Sequence, residues 1–454
     1  MSQAGIPQVT VVAGAVRGLR ICLVLMIRLA ALGGLALRCS LVRGSGGFAP
    51  RRDAWLVATV TALGPAFVKI AQILSTRADL IPGHVAGVLS TLHDQVRPLP
   101  LGSGSRRFGP ELTRALRDDP TLATRRPVAS GTIACVYRAD LVDGRTVALK
   151  VRRPGVVRLL STDLAIMLAL SRLAARLPPL RGVPVVDIMR QLADSLRGQL
   201  DFHRERQSLR FLKENLAEVP HVRVPAVYEE LCGPEVLVME YLGDLHRQPH
   251  PHLGEAARTT GGEQAAVTAL CAAYHMLFLD GFVHCDLHPG NLSCGPGRTV
   301  TIVDAGFTVR LTAHAREKFT DFFYAMTVED GQTCADVVLS TARTGRQTDT
   351  AAFRRDLSAL IASCGGATAA TFDLMGFAAR LFALQRRHGL YADPQFVFPI
   401  LSLLVLEGTV RALSPQLDFQ AVARPYLLTA LMERAITRVQ NTQNDENAQK
   451  QEPG

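Results

Sequence analysis

Hydrophobic and polar positions divide the chain into an apolar arm, a short strand-like region and a long helix-rich remainder. From Ile21 to Leu37 nearly every position is apolar, with Arg28 in the middle. Wound as a helix at about 100° per residue, the arm places Arg17, Arg20, Arg28 and Arg38 within an arc of about 80°, opposite Leu, Ile, Val and Met. A central arginine costs about 2.5–3.5 kcal/mol on insertion scales, which argues against a span. Two readings remain: a helix lying in a membrane interface, and a helix docked on the protein itself or on a partner. No small-residue cleavage site follows cleanly, so a signal peptide is disfavoured. The run Gly44-Ser45-Gly46-Gly47 breaks the pattern, and helical spacing resumes from about Arg51 to Leu92. After a hinge from Pro98 to Ser105, Val128 to Leu149 reads as strands with a hairpin turn at Asp143-Gly144. Val156 to Leu216 reads mainly as helices, interrupted at Pro178-Pro179 and Pro184, and Glu235 to Tyr241 is strand-like. From Gln264 onward the pattern is helical apart from one loop and the strand Thr299 to Asp304; Phe353, Leu357, Leu360 and Ile361 have the spacing of a core-facing helix. Phe396 to Leu406 carries Pro399 and is too short to cross a bilayer, so it reads as a buried helix. The tail after Asn441 is polar and is expected to be disordered.

Composition narrows the class. With 454 residues, 48% hydrophobic and 20% charged, the chain can bury two or three cores, and a two-lobed enzyme with an added helical segment fits. The net charge of +10 is not gathered into basic blocks with interleaved aromatics, which excludes a nucleic-acid platform. Much of the excess lies in the first 52 residues, before the first acid, Asp53. The nine cysteines form no Cys-x-x-Cys pair and no zinc spacing, so they indicate a reducing, cytoplasmic setting in which they act as small hydrophobes.

Three short stretches carry the chemistry. Val147-Ala148-Leu149-Lys150 reads as a strand presenting one lysine; His284-Cys285-Asp286-Leu287-His288-Pro289-Gly290-Asn291 sets an Asp five residues before an Asn; Ile302-Val303-Asp304-Ala305-Gly306-Phe307 ends a β-branched run with an Asp. In that order they resemble the protein-kinase set for holding Mg-ATP. Lys150 is one of five lysines among 50 basic residues. A lysine where arginine is habitual suggests a compact ammonium that meets phosphate oxygens and a carboxylate together.

Over roughly residues 51 to 435 the chain resembles the UbiB/AarF/ADCK group of atypical kinase-like proteins. The stretch Phe67 to Arg77, with Lys69 and Gln72, is similar to that family's Lys-x-Gly-Gln signature; Pro127 to Ala139 matches its alanine-rich loop; Gln199-Leu200-Asp201-Phe202-His203-Arg204-Glu205 matches its Glu-x-Asp helix. The resemblance implies an α+β, two-lobed protein-kinase-like fold with an N-terminal helical extension and a helix-rich C-lobe. It sets out an arm at 1–48, a helical extension at 51–125, an N-lobe with a helical insertion at 126–241, a C-lobe at 242–440 and a tail at 441–454. It also implies ATP and Mg²⁺ as cofactors. Lys150 would hold phosphates and pair with Glu205, on the same helix face as Asp201; Asp286 would orient or deprotonate the nucleophile; Asn291 and Asp304 would bind the metal. Ala129, Ser130, Gly131 and Thr132 would cover the nucleotide, and Met239, Glu240 and Tyr241 would take adenine by backbone hydrogen bonds. His284 and His288 would hold the catalytic loop.

Three positions depart from the family pattern. Ala71 stands for Gly, Gln199 for Glu, and the loop reads Ala129-Ser130-Gly131-Thr132. Gly131 would restore flexibility to the loop, and Gln199 would remove a charge partner from Lys69. The leading function is an ATP-using phosphotransferase or ATPase, peripheral at a membrane through the arm, with lipids or quinone-pathway enzymes as partners. A small-molecule phosphotransferase of the aminoglycoside or choline type, and an ATP-gated chaperone that transfers nothing, are the alternatives. Removing residues 1 to 47 is expected to leave a more soluble protein that still binds ATP but loses salt-sensitive association with anionic vesicles.

Overall fold

The computed structural model of the chain describes all residues except 1–10, 42–47, 76–82, 93–97, 177–184, 244–261, 289, 295–297, 345–347, 365–372 and 450–454. The signature extension at 79–82, the Gly44 to Gly47 break and Pro289 therefore lie outside the described residues. The chain divides into two compact units, Met1–Leu209 with Pro225–His246, and Arg210–Val224 with Arg247–Gly454. The fold is the helix-rich α+β arrangement that the sequence implies.

The first unit holds helices α1 (Val11–Leu41), α2 (Phe48–Leu63), α3 (Pro65–Ser75), α4 (Gly83–Ser90) and α5 (Pro110–Ala115). Strands β1 (Ala129–Ser130), β2 (Ala134–Asp140) and β3 (Thr146–Arg152) follow, then α6 (Val156–Ala174), α7 (Val185–Gln199) and the start of α8 (Phe202–Asn215). A later strand, β5 (Val236–Glu240), closes an antiparallel sheet of order β1-β2-β3-β5. Side chains alternate along β3: Val147, Leu149 and Val151 point into a core with Tyr137, Leu141 and Val238. Lys150 is thereby placed on the other face. Gly155, with φ of 69°, supplies the left-handed turn from this strand into α6, a conformation that favours glycine.

The arm is docked on the first unit through the Arg17 side chain and the Arg28 carbonyl. Arg17 grips the fully buried carboxylate of Asp163 on α6 with two hydrogen bonds of 2.6 and 2.8 Å. It also donates to the Leu63 carbonyl at 2.6 Å. The Trp55 indole donates to the Arg28 carbonyl at 2.7 Å, tying α1 to α2. Ile21 is buried beside this socket and Arg28 is half-buried, while Arg20 is exposed together with Val16, Leu19, Leu23, Met26, Ile27 and Leu29. The arginine stripe read from the sequence is therefore split, with Arg17 bound to the protein and Arg20 exposed. The side chain of Arg38 lies outside the described residues. Residues Gly14–Leu35 are long and apolar enough to cross a membrane by length and composition alone.

The second unit contains the end of α8, β4 (Val222–Arg223), α9 (Gly262–Tyr274), β6 (Phe282–His284), β7 (Leu292–Cys294), β8 (Val300–Ile302) and β9 (Thr308–Arg310). Strands β4, β8 and β7 form a sheet in that order, and β6 pairs with β9. Helices α10 (Ala313–Thr327), α11 (Gly331–Thr341), α12 (Thr350–Cys364), α13 (Leu374–Arg387), α14 (Pro394–Leu413) and α15 (Phe419–Gln449) make up most of the rest, with the strand pair β10 (Ala342–Thr344) and β11 (Leu390–Ala392). Phe353, Leu357, Leu360 and Ile361 are all buried on α12. Helix α14 is longer than its apolar run suggests, 20 residues with Pro399 inside, and it is a core helix, with 67% of its apolar window buried. Where the sequence predicts disorder after Asn441, α15 continues to Gln449.

The Arg17 socket gives removal of the arm a cost in stability. Without Arg17 the Asp163 carboxylate is left buried and unpaired, a change that costs about 3–5 kcal/mol for buried pairs. Arg17→Ala and deletion of residues 1–47 are both expected to lower unfolding free energy by about that amount. Adding Asp163→Leu to Arg17→Ala should recover most of it. Denaturant unfolding of the four proteins checks this, and a loss under about 0.5 kcal/mol for Arg17→Ala would show that Asp163 does not depend on it.

Candidate functional site

Each unit assembles its own part of the predicted chemistry. In the first, the Lys150 ammonium meets Glu205 Oε1 at 2.5 Å, with the lysine side chain 12% exposed and the glutamate 1%. Lys150 lies opposite Val136 and Leu237 in the middle of the sheet, so neighbouring strands on both sides fix its backbone. Glu205 lies in the first turn of α8, whose positive dipole end favours a carboxylate. The Phe202 ring lies 5.8 Å from the ammonium and 5.0 Å from the Arg152 guanidinium, so it helps to keep water away.

The Glu-x-Asp match is not one helix. Helix α7 stops at Gln199, and Asp201 caps the next by accepting from the N–H groups of His203 at 2.9 Å and Arg204 at 3.3 Å. Asp201 therefore does not share a helix face with Glu205, as the sequence implied; it sets where α8 begins and so where Glu205 points. Gln199 is buried, and its amide nitrogen has no hydrogen-bond partner among the described residues. On α3, Gln72 donates to the Leu92 carbonyl at 3.2 Å, and Lys69 is half-buried on the same helix. Ala71 contributes its methyl to a small core with Leu89 and Leu92, so the departure from glycine is absorbed by packing.

The loop Ala129, Ser130, Gly131 and Thr132 is a hairpin turn pinned from β3's exit. Gly131 N–H bonds the Ala134 carbonyl at 2.9 Å, while Arg153 donates to the Gly131 carbonyl at 2.7 Å and to Ser130 Oγ at 2.8 Å. A Cβ on Gly131 would meet the Ala134 carbonyl at 3.5 Å, an ordinary contact, so neither space nor backbone conformation demands glycine. The expected gain in flexibility is thus offset by Arg153, a residue to which the sequence reading gave no role. Its signal was present: a second basic residue just past the lysine strand.

The predicted adenine hinge is narrowed. Met239 lies inside β5 opposite Ala148; the Glu240 N–H is given to the Ala226 carbonyl at 2.8 Å, and the Tyr241 N–H reaches the Thr146 carbonyl at 3.4 Å. N–H donors for an adenine edge would have to come from beyond Tyr241.

In the second unit, a buried neutral histidine organises the catalytic loop. His284 Nδ1 accepts the Asp286 N–H at 3.1 Å, which leaves the proton on Nε2 to be donated to the Asp304 carbonyl at 2.7 Å. Ser402 on α14 donates to the His284 carbonyl at 2.7 Å. Asn291 gives its amide nitrogen to the Asp286 carbonyl at 2.9 Å, so its oxygen is the end left for a cation. Asp304 Oδ1 accepts the Gly306 N–H at 2.7 Å. His288 Nδ1 accepts the Gly290 N–H at 2.9 Å, and its Nε2 lies 3.9 Å from Asp286 Oδ2. Asp286, Asn291 and Asp304 are thus bound into one network. Among the described residues no three His, Cys, Asp or Glu side chains form a metal cluster. Two hard oxygen donors, from Asn291 and Asp304, suit Mg²⁺, which keeps water and phosphate for its other positions.

Burial holds the His284 pKa below its ordinary value of 6.5. A depressed histidine pKa contributes stability that is full above about pH 6.5 and is lost as pH falls, because the unfolded chain takes up the proton first. His275 has the opposite sign, since its bond to Asp280 raises its pKa, but it is common to both proteins in a comparison. The wild type is expected to lose stability below about pH 6.5 more steeply than His284→Gln, which should also be weaker at pH 8 by about 1–3 kcal/mol for each orphaned backbone group. Urea midpoints from pH 5 to 8 check both; parallel pH profiles would show that His284 is not buried neutral.

The chain is similar to known proteins over most of its length. The ABC1 atypical kinase-like domain matches residues 91–338. The "Probable protein kinase UbiB" of Pseudomonas aeruginosa is 29% identical over 388 residues, covering 84% of this chain and 72% of that protein. The uncharacterized protein sll0095 of Synechocystis is 28% identical over 386 residues, covering 83% and 67%. Among solved structures, Rv3197 from Mycobacterium tuberculosis, determined in complex with erythromycin, shares the fold with a TM-score of 0.50 and 20% identity, over 78% of this chain and 89% of that one. With the domain match covering more than half of its residues, the chain belongs to the UbiB/ADCK family of ABC1 atypical kinase-like proteins.

Proposed function

We propose that this protein is an Mg-ATP-using phosphotransferase or ATPase that works at a membrane surface, acting on or regulating lipid or isoprenoid-quinone metabolism. The observation that carries the nucleotide reading is the Lys150–Glu205 pair, an ammonium held almost dry on the face of a sheet. An ammonium in that state lends itself to phosphate oxygens, with Glu205 holding it in place. Asn291 and Asp304 would hold magnesium, which supplies charge neutralisation at the phosphates. Asp286, oriented through its own N–H by His284 and through its carbonyl by Asn291, receives the proton of an attacking hydroxyl or water. The printed name of the Pseudomonas relatives, probable protein kinase, supports transfer chemistry.

The membrane part of the reading rests on α1. Arg17 is turned toward the protein, while Leu19, Leu23, Met26, Ile27 and Leu29 are exposed, which suits contact with the apolar boundary of a bilayer. The lipid or quinone side rests on the family resemblance.

Ligand binding to the folded state raises stability by about 2.7 kcal/mol at a hundred times the dissociation constant. Saturating Mg-ATP is therefore expected to raise the melting temperature of the wild type, while Asp304→Asn, which removes the charge a metal requires, melts at the same temperature with and without it. Thermal melting with ATP, with and without Mg²⁺, checks this. An undiminished, magnesium-dependent shift in the variant would remove Asp304 from the metal site.

A further inference from the structure

One opening in the first unit lies away from Lys150 and Glu205. It is a groove of about 810 Å³ where one face of α2 and one face of α4 meet α1. Its size falls within the range of about 300–1,000 Å³ usual for small-ligand sites. Ala54, Val57, Ala58 and Val88 make an apolar floor, and Arg28 stands on the wall contributed by α1. The alanines recur at helical spacing, so α2 presents a strip of short apolar side chains to the groove. The Arg28 guanidinium is half-buried and makes no hydrogen bond or ion pair with any described residue. Asp53 at the rim is taken by Arg52 at 3.0 Å. The groove therefore combines an apolar trough with one available cation, and its helical walls offer no open strand edge to a peptide.

The neighbours of Arg28 indicate where an occupant would come from. Leu25, Met26 and Leu29 flank it along α1 and are exposed at 38%, 60% and 59%. The outward face of α1 thus continues the apolar surface beside the groove. We propose that the groove takes the acyl chain of an anionic bilayer lipid, whose phosphate pairs with Arg28. An arginine suits the role because its guanidinium can offer two parallel N–H groups to phosphate oxygens. The site extends the membrane-surface reading above and is independent of nucleotide binding.

Two features make the groove directly testable. Trp55, the one tryptophan in the chain, is bonded to the Arg28 carbonyl and reports on this region alone. Gly87 on α4 lines the groove, and a Cβ there meets no atom within 4 Å, so a side chain at this position enters the groove without a clash at its first atom. The substitution also replaces glycine in a helix, which favours folding. The full-length protein is mixed with phosphatidylcholine vesicles in which either phosphatidylglycerol or phosphatidylcholine carries brominated chains, and quenching of Trp55 is recorded. Quenching several-fold stronger by brominated phosphatidylglycerol is expected for the wild type. It should be largely lost in Gly87→Phe, and in Arg28→Gln the two lipids should quench equally. Unchanged quenching in Gly87→Phe with a wild-type melting profile would place the lipid on the outer face of α1 only and overturn the proposal. So would equal quenching by both lipids in the wild type, or quenching by neither, which would leave the groove to a partner helix. If Gly87→Phe fails to fold, a preserved preference for phosphatidylglycerol in Arg28→Gln overturns it alone.

Discussion

An ammonium and a carboxylate withdrawn from water can be kept only as a pair, and the first unit is arranged around one such pair. Lys150 and Glu205 are 2.5 Å apart with almost no exposure. Either charge alone would cost several kcal/mol of desolvation, so each element that positions one depends on the element that positions the other. The lysine is fixed by a central strand whose alternate residues are locked into an apolar core. The glutamate is fixed by a helix whose start is set by Asp201. A pair of this kind adds little net stability over apolar replacements of the same volume, which makes a purely structural explanation for it weak.

The second unit solves a related problem without burying charge against charge. His284 is fully buried and neutral, and it joins the backbone of Asp286 to that of Asp304 through one accepted and one donated hydrogen bond. Its uncharged state leaves the carboxylates as the only formal charges of the network it organises. Asn291 completes the arrangement by spending its nitrogen on Asp286, so that its oxygen is presented as a ligand. The same economy of buried charge recurs at the arm, where Arg17 neutralises Asp163 and thereby fixes which face of α1 looks outward.

What could be read from the sequence follows the range of the interaction. Lys150, Asp286, Asn291 and Asp304 were legible because local spacing sets them on a strand and two loops. The core face of α12 was legible from its period. The break between α7 and α8 was missed because Leu200-Asp201 contains neither Gly nor Pro, and a capping aspartate resembles any other polar residue until its N–H partners are known. The orientation of α1 was missed for another reason: residue 163 lies 146 positions from Arg17, and a lone acid inside an apolar helix does not name its partner. Arg153 shows the same blindness at shorter range, since its role appears only once β1 has folded back beside β3. The arm's dependence on Asp163 is likewise a tertiary fact, invisible to composition.

The central claim is that the Lys150–Glu205 pair is kept for nucleotide binding and not for stability. Lys150→Met, Glu205→Leu and the double variant separate the two in one experiment, with unfolding free energy and Mg-ATP affinity measured on each. Each single change is predicted to cost about 3–5 kcal/mol by leaving a buried charge, and the double change to restore most of that loss. None of the three is predicted to bind Mg-ATP. A double variant that recovers stability and still binds Mg-ATP with wild-type affinity would contradict the account.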